Sequence, residues 1–226
     1  LVIGNPDLKP ELINSFELNY QNTIGGVFLS AQTYYRNTEN TFQQTALIGP
    51  DGRLNLSFGN IAKTYSLGSE LSAGFSLAQW FRLDPALNLY KTHLEGKLKD
   101  NSYEQNGFVW SGRLRSTLYF SPETRFQVSL FYTAKQKILQ GEIDPVVNLT
   151  LSLRQELLDK KLIVTATAQN LFNTGRFKLF TDAGNGTLLY LTAHPEAPVF
   201  NITLSYNFNN FKNTSKVNDR VDVNVN

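Results

Sequence analysis

Alternation of apolar and polar residues is the feature that most constrains what this chain can fold into. In residues 64–81, TYSLGSELSAGFSLAQWF, every second residue from Tyr65 to Leu77 is apolar, apart from one serine. The residues between them are small or polar, with Glu70 in the middle. A period of two residues is that of a β-strand whose two faces meet different surroundings. The pattern predicts a strand and leaves open whether its apolar face packs on a core or faces lipid.

The same period recurs along the whole chain. It predicts about nine strands, near 14–22, 27–36, 64–77, 81–90, 109–120, 126–135, 147–154, 162–169 and 199–208. Most have about ten residues, the length that a tilted strand needs to cross a bilayer, whereas ordinary strands average about five or six. We therefore predict an all-β fold, an antiparallel up-and-down transmembrane β-barrel, of which about nine strands form an incomplete barrel.

The connections between these strands differ in length in a regular way. Short turns are predicted at 23–26, 78–80, 121–124 and 158–161, and long polar links at 37–63, 91–107, 136–145 and 173–197. Short and long connections alternate strictly, so each kind should lie at its own end of the sheet. This asymmetry is typical of outer-membrane barrels, which have short periplasmic turns and long extracellular loops. Aromatic residues at the apolar positions of the strands also cluster near the strand ends. Outer-membrane barrels have girdles of aromatic residues at the same places, the two membrane interfaces.

Pro85 interrupts the fourth predicted strand. Proline has no backbone N–H to donate to a sheet ladder. We therefore expect either that the strand begins after Pro85 or that a β-bulge lies there.

Composition excludes several classes of function. Of the 226 residues, 18% are charged, against roughly 25% in ordinary soluble domains. The formal net charge is +2 with no basic stripe, which gives no reason to expect nucleic acid as a partner. The absence of cysteine excludes disulfides and thiolate chemistry. No run approaches the roughly 18 apolar residues of a transmembrane helix, so a membrane-spanning fold would have to use strands.

Residues for catalysis or metal binding are scarce. The two histidines, His93 and His194, lie in predicted long links and are far apart in sequence. Their surroundings lack the ligand spacing of a metal site, and no nucleophile and base occur in a recognisable arrangement. We expect no enzymatic activity, no metal and no cofactor.

Three short segments resemble a known family. "GNPDLKPE" at residues 4–11, followed by "NSFELNY", resembles a loop-and-strand signature of TonB-dependent outer-membrane receptors. "QNLFNT" at residues 169–174 resembles their penultimate-strand motif, and "FNITLSYNF", ending at Phe208, resembles their closing strand. The resemblance covers the chain to about residue 210. It departs from the family where a further polar segment follows the closing strand.

The resemblance implies a location and partners. Such receptors have an N-terminal plug, a segment that contacts TonB, and about 22 barrel strands around the plugged lumen. Residues 1–208 would then be the C-terminal portion of a barrel in the cell outer membrane, and residues 209–226 a polar tail. The expected partners are outer-membrane lipid, the plug, the remaining strands and TonB. Because the chain has no methionine and begins at Leu1, we expect a processed protein or a fragment.

Strand parity predicts where the charged side chains point. The charges expected to face the lumen are Glu17, Arg36, Glu70, Arg82, Asp84, Arg113, Arg115, Lys135 and Arg154. They could guide an anionic ligand, or they could pair with one another and with the plug. For an anionic ligand we predict contacts from Arg113 and Arg115. Tyr103, His93 and His194, in the long links, either contact the ligand or pack loop against loop.

Three functions remain open from the sequence. The first is a TonB-dependent receptor that imports a scarce or bulky ligand, such as a siderophore, glycan or peptide. The second is an outer-membrane barrel with a structural or assembly role. The third is a secreted β-sandwich binding module, which would be soluble without detergent.

Overall fold

The computed structural model describes residues 3–49, 52–98, 101–183 and 186–208. Within these ranges the chain forms thirteen strands, in the order β1 (Leu12–Ile24), β2 (Val27–Ile48), β3 (Leu54–Ala78), β4 (Phe81–Leu98), β5 (Asn101–Tyr119), β6 (Thr124–Thr133), β7 (Gln136–Ile138), β8 (Gly141–Ile143), β9 (Val146–Leu157), β10 (Leu162–Gln169), β11 (Phe177–Asp182), β12 (Leu188–Ala193) and β13 (Val199–Tyr206). In these ranges no helix is long and apolar enough to cross a membrane. The predicted tail, residues 209–226, lies outside the described residues.

Nine strands form one antiparallel sheet, which we call the main sheet. Its order is β1-β2-β3-β4-β5-β6-β9-β10-β13, so each strand pairs with the next spanning strand along the chain. β1 and β13 are its two edges, and no ladder joins them within the described residues. The prediction of nine strands in an open sheet is therefore confirmed. Barrel closure would require strands other than these nine.

The short turns all lie at one end of the main sheet, as predicted. The turn between β1 and β2 is Gly25–Gly26, with φ of +57° and +81°. Positive φ at both central residues defines the type I′ hairpin turn, which favours glycine and matches the strand twist. The turns at 79–80, 120–123 and 158–161 lie at the same end because every neighbouring pair is antiparallel.

The prediction of long links at 37–63 and 91–107 was wrong, because the strands continue through most of both segments. β2 pairs with β3 as far as Ile48 and Leu54, and β4 pairs with β5 as far as Leu98 and Asn101. Both faces of these extensions carry polar residues, so the apolar alternation stops although the backbone ladder continues. A β-bulge near Thr38 and Thr41, with Asn40 at a φ of +55°, marks the start of the β2 extension.

The other two long links build a second sheet, of order β12-β11-β8-β7. Gly141 of β8 faces Thr181 of β11, and a Cβ at Gly141 would collide with the carbonyl of Phe180. The hairpin tip between β7 and β8 carries Leu139, which is only 1% exposed and packs against Ala62 and Leu94 of the main sheet. The second sheet therefore lies against the long-hairpin end of the main sheet.

Pro85 neither delays the start of β4 nor causes a β-bulge, so both expectations for it were wrong. β4 begins before Pro85, at Phe81, and its register with β3 is the same on both sides of the proline. Pro85 stays paired with Leu114 of β5, while the ladder to β3 is interrupted opposite Ala73 and Gly74. The missing N–H of Pro85 therefore interrupts the ladder to β3 but not the ladder to β5, and no bulge forms at the proline.

Strand parity predicts that seven apolar residues of the barrel wall face lipid, and their register places all seven on one face of the main sheet. They are Leu67, Leu71, Phe75, Leu149, Leu151, Ile202 and Leu204. We call this face the apolar face. Ile202 is 76% exposed and Leu204 is 69% exposed, and the second sheet does not cover them. The β-sandwich alternative is therefore wrong, since it requires a second layer on this face.

Candidate functional site

The opposite face of the main sheet, which we call the polar face, carries most of the charges that the sequence singled out. Cross-strand register puts them on one side in a continuous series: Glu17 with Tyr34, Gln32 with Glu70, Glu70 with Asn88, Ala86 with Arg113, Asp84 with Arg115, and Arg125 with Arg154. In an outer-membrane barrel this face lines the lumen.

The first charged group on the polar face joins β1 to β2. An Arg36 Nη atom lies 3.1 Å from Glu17 Oε1, and Gln32 Nε2 donates to Glu17 Oε2 at 2.8 Å. The Arg36 guanidinium also lies 4.4 Å from the centroid of the Tyr34 ring, a cation–π arrangement. Tyr34 is buried over Gly68, where a Cβ would come within 2.6 Å of its ring. These charges are paired with one another, as one of the two sequence interpretations predicts.

The second charged group lies near the short turns, on four neighbouring strands. We call it the arginine cluster, and it consists of Arg82, Arg115, Arg125 and Arg154. These residues line a concave region of about 400 Å³, together with Asp84, Thr117 and Tyr119. Arg125 and Arg154 stand directly opposite one another in the register, an arrangement that like charges disfavour. Four cations in one concave region make a positive surface on which an anion would be stabilised.

Two of the four arginines are neutralised within their own strands. Arg82 donates two hydrogen bonds to Asp84 Oδ1, at 2.7 and 3.0 Å, and Arg154 donates to Glu156 Oε1 at 3.0 Å. Gly74 of β3 makes room for the first pair, since a Cβ there would lie 2.6 Å from Arg82 and 2.9 Å from Asp84. The side-chain pairing and the glycine belong to one local arrangement.

The other two arginines keep their charge free. The guanidinium groups of Arg115 and Arg125 form no hydrogen bond or ion pair with any residue that the structure describes, and both side chains are exposed. Arg113, the predicted companion of Arg115, instead lies 6.0 Å from the centroid of the Phe131 ring. Arg115 and Arg125 are therefore the groups best placed to bind an anion.

Lys135 does not belong to the main sheet. β6 ends at Thr133, two residues before the predicted end of the strand. Lys135 Nζ lies 2.6 Å from Glu142 Oε1 and 3.8 Å from Asp144 Oδ1, on and just after β8. The hydrogen bond to Glu142 raises the pKa of Lys135. These ion pairs link the residue before β7 to β8, the second strand of the same hairpin.

The β7–β8 hairpin reaches across the polar face. Leu139 packs on β3 and β4, and Ala46 N donates to Gln140 Oε1 at 3.1 Å. Gln140 Nε2 also donates to Asp182 O at 3.2 Å, which joins the same tip to β11. Ala46, Gln140 and Leu139 are all buried. The hairpin thus covers part of the lumen-facing surface at the long-hairpin end, opposite the arginine cluster.

The remaining predicted ligand contacts lie apart from one another. His93 lies within β4 rather than in a loop, on the apolar face, where its Nδ1 is 2.9 Å from Asn106 Oδ1. Tyr103 lies on the polar face beside the Leu139 cluster. His194 is exposed in the link between β12 and β13. The structure does not gather these three residues around one cavity.

Sequence reasoning missed Arg125 and Glu156. The sixth strand was predicted to begin at Phe126, whereas β6 begins at Thr124. Arg125 was therefore not assigned to either face of the sheet. Continuing the alternation by one residue would have found it. In the described part of the chain, no group of three or more histidine, aspartate or glutamate side chains is arranged to hold a metal ion.

Comparison with known proteins agrees with this geometry. The profile of the outer membrane protein β-barrel family matches residues 1–206. No curated protein and no solved structure matches the chain. The match spans all nine strands of the main sheet, including both edges. The chain belongs to the outer membrane protein β-barrel family, and it is therefore a protein of the outer membrane.

Proposed function

We propose that this chain is the C-terminal part of the barrel wall of a TonB-dependent receptor, which imports a scarce or bulky ligand across the outer membrane. The observation that carries the proposal is the open main sheet of nine strands, whose edges β1 and β13 have no further strand partner among the described residues. In lipid each unpaired backbone group costs several kcal/mol, so other strands must complete the barrel. Barrel diameter grows with strand number, and transporters with barrels of about 22 strands have a lumen wide enough to hold a plug.

The polar face supports import rather than simple diffusion. The β7–β8 hairpin is folded over the polar face at the long-hairpin end and held there by Leu139 and Gln140. A lumen that is partly covered from the outside favours binding of a particular ligand over free passage. The partners would be the plug, the remaining strands and TonB, and the chain would have no catalytic role and no nucleic-acid partner.

The ligand that this wall favours is an anion. Arg115 and Arg125 carry unpaired charges in the arginine cluster, and Asp84 and Glu156 neutralise only the two other arginines. Citrate, a small polyanion, is a suitable probe. The complete protein should show a citrate-dependent rise in unfolding temperature, which the double variant Arg115→Gln/Arg125→Gln abolishes. Lys160→Gln/Lys161→Gln, which also removes two positive charges but in the β9–β10 turn, should preserve it.

TonB binding distinguishes the receptor from the structural alternative. The complete protein, purified in detergent, should bind the isolated periplasmic domain of TonB in a calorimetric titration. A correctly folded barrel that shows no such binding would favour a structural or assembly role. In that case the arginine cluster would serve only to pair with other parts of the barrel.

A further inference from the structure

The apolar face carries one charge where none is expected. From the cross-strand row Tyr35–Leu67–Lys91–Phe108 to the short turns, Lys91 is the single charged residue on the apolar face of the described main sheet. A lysine facing lipid is strongly disfavoured at the bilayer midplane, but is tolerated at almost no cost at the interface. Lys91 is therefore placed at the membrane boundary on the long-hairpin side.

The surroundings of Lys91 form a shallow cavity rather than a flat surface. The cavity is about 520 Å³ and is lined by Tyr35, Tyr65, Lys91, His93 and Phe108, among others. The His93 ring lies 6.0 Å from that of Tyr65 and is held by Asn106. Aromatic side chains of this kind lie at headgroup level in membrane proteins.

The charges farther from the membrane do not neutralise Lys91. Glu95 and Glu104 lie on the apolar face beyond the His93 row, and each has an oxygen 3.8 Å from a ring nitrogen of His93. The amino group of Lys91 makes no hydrogen bond or ion pair with any described residue. Lys91 is the cation that remains free to bind a phosphate.

An apolar groove begins immediately on the membrane side of Lys91. It has a volume of about 790 Å³, and its upper end is formed by Trp110 and Tyr132, whose rings lie 4.4 Å apart. Trp110 is two residues from Phe108 along β5, so the groove starts about 7 Å below the Lys91 row. The groove exists because Ala31, Ala73 and Gly112 stand among larger side chains.

We propose that Lys91 and this groove form a binding site for one anionic phospholipid of the membrane. The phosphate binds the amino group of Lys91 between the aromatic rings, and one acyl chain lies in the groove beneath it. Charge complementarity determines which class of lipid binds, because a zwitterionic lipid has no net charge to match the unpaired lysine. The proposal depends on the location in the outer membrane and is independent of TonB and of any transported ligand.

Native mass spectrometry of the complete protein tests this site. The protein is released from nanodiscs that contain equal amounts of phosphatidylglycerol and phosphatidylcholine with identical acyl chains, and the retained lipids are counted. We expect the wild type to retain phosphatidylglycerol several-fold over phosphatidylcholine, and Lys91→Gln to remove this preference. Ala73→Leu, which fills the groove, should reduce retention of both lipids.

The matched control is Lys63→Gln, which removes a lysine from the same face one row beyond His93. It should keep the wild-type preference. The proposal is overturned if Lys91→Gln retains phosphatidylglycerol as the wild type does, or if the wild type shows no preference. Retention of a second copy or another protein on this face, in place of lipid, would also overturn it.

Discussion

The two faces of the main sheet are made by the same nine strands, yet they obtain their stability in different ways. On the polar face, several charges are paired within the protein and a folded hairpin covers part of the surface, as Arg36 with Glu17 and Leu139 with Leu94 illustrate. On the apolar face, side chains such as Leu18, at 77% exposed, and Ile202, at 76%, are left mostly uncovered by the part of the chain that the structure describes. The apolar face depends on lipid to remove its surface from water.

This difference shows what each face can tolerate. Lipid is a continuous apolar solvent, so the apolar face needs no precise packing but cannot accept charge away from the interface. The polar face can accept charge, but its buried contacts depend on particular neighbours. Substitutions on the two faces should therefore destabilise the protein for different reasons. The two kinds of destabilisation can be measured separately in the complete protein.

The largest effect is expected from a charge placed in the middle of the apolar face. Leu151 of β9 stands opposite Val128 of β6 and Ala168 of β10. Leu151→Arg should destabilise the lipid-embedded barrel by about 2–4 kcal/mol, because the guanidinium must remain in hydrocarbon or distort the bilayer. Denaturant unfolding of the protein in vesicles measures this difference.

Thr150→Arg is the control, since it places the same side chain one residue away on the polar face. It should change the unfolding free energy by less than about 0.5 kcal/mol. Equal costs for the two variants would contradict the assignment of the faces.

A smaller and local effect is expected where the hairpin meets the polar face. Leu139 is 1% exposed, and Leu139→Ala removes most of its contact with Ala62 and Leu94. Because the cluster is small and at the rim, we expect a loss of about 2 kcal/mol, at the low end for buried leucine. Hydrogen exchange of the amides in residues 136–143 should accelerate about 30-fold at this cost.

Leu188→Ala, at the edge of the second sheet and 51% exposed, is the matched control. It should leave the exchange of residues 136–143 close to wild type. If Leu139→Ala also leaves that exchange unchanged, the hairpin is held by Gln140 and the β8–β11 ladder rather than by the apolar contact.

The sequence predicted the main sheet well because lipid-facing strands must alternate. All nine strands, the short turns and the shared face of Leu67, Leu149 and Ile202 followed from parity alone. Each of these strands lies between the same two surroundings, lipid and lumen, so the period recurs in every one of them. Even the interruption at Pro85 was visible, although its outcome depends on which neighbour loses the hydrogen bond.

Parity failed where the strands extend beyond the lipid-facing part of the main sheet. The extensions of β2 and β4 carry polar residues among the few apolar ones that the β7–β8 hairpin covers, so nothing in their period distinguishes a strand from a loop. The second sheet was missed for a related reason, since it depends on long-range contacts such as Gln140 with Ala46. Arg125 was missed because the predicted strand boundary was late by two residues, the usual weakness of such predictions.

The motif QNLFNT has a physical explanation that its pattern alone does not reveal. Asn170 adopts a φ of +50°, and its Oδ1 accepts hydrogen bonds from the amides of Thr174 and Gly175 at 3.0 and 2.9 Å. Thr174 Oγ1 in turn donates to Val147 O at 2.9 Å. The motif therefore ends β10 with a compact turn anchored to the start of β9.

The smallest expected effect concerns an ion pair on the polar face, between Arg82 and Asp84. The pair is partly exposed, with 41% and 28% of the two side chains accessible, so solvent and salt screen it. A double-mutant cycle with Arg82→Gln and Asp84→Asn should give a coupling energy of about 0.2–1 kcal/mol that decreases as salt is raised.

The two single variants of this cycle should nevertheless differ from one another. Arg82→Gln leaves Asp84 beside Arg115, its partner in the β4–β5 register, so the carboxylate still has a cation near it. Asp84→Asn instead removes one of the two carboxylates that offset the four arginines, and Arg82 and Arg115 then repel one another. Asp84→Asn should therefore cost more at low salt, and the difference should vanish near 1 M salt, where the screening length is about 3 Å. Equal costs at low salt would mean that the arginine cluster exerts no common field, and that Arg115 and Arg125 act as separate solvated charges.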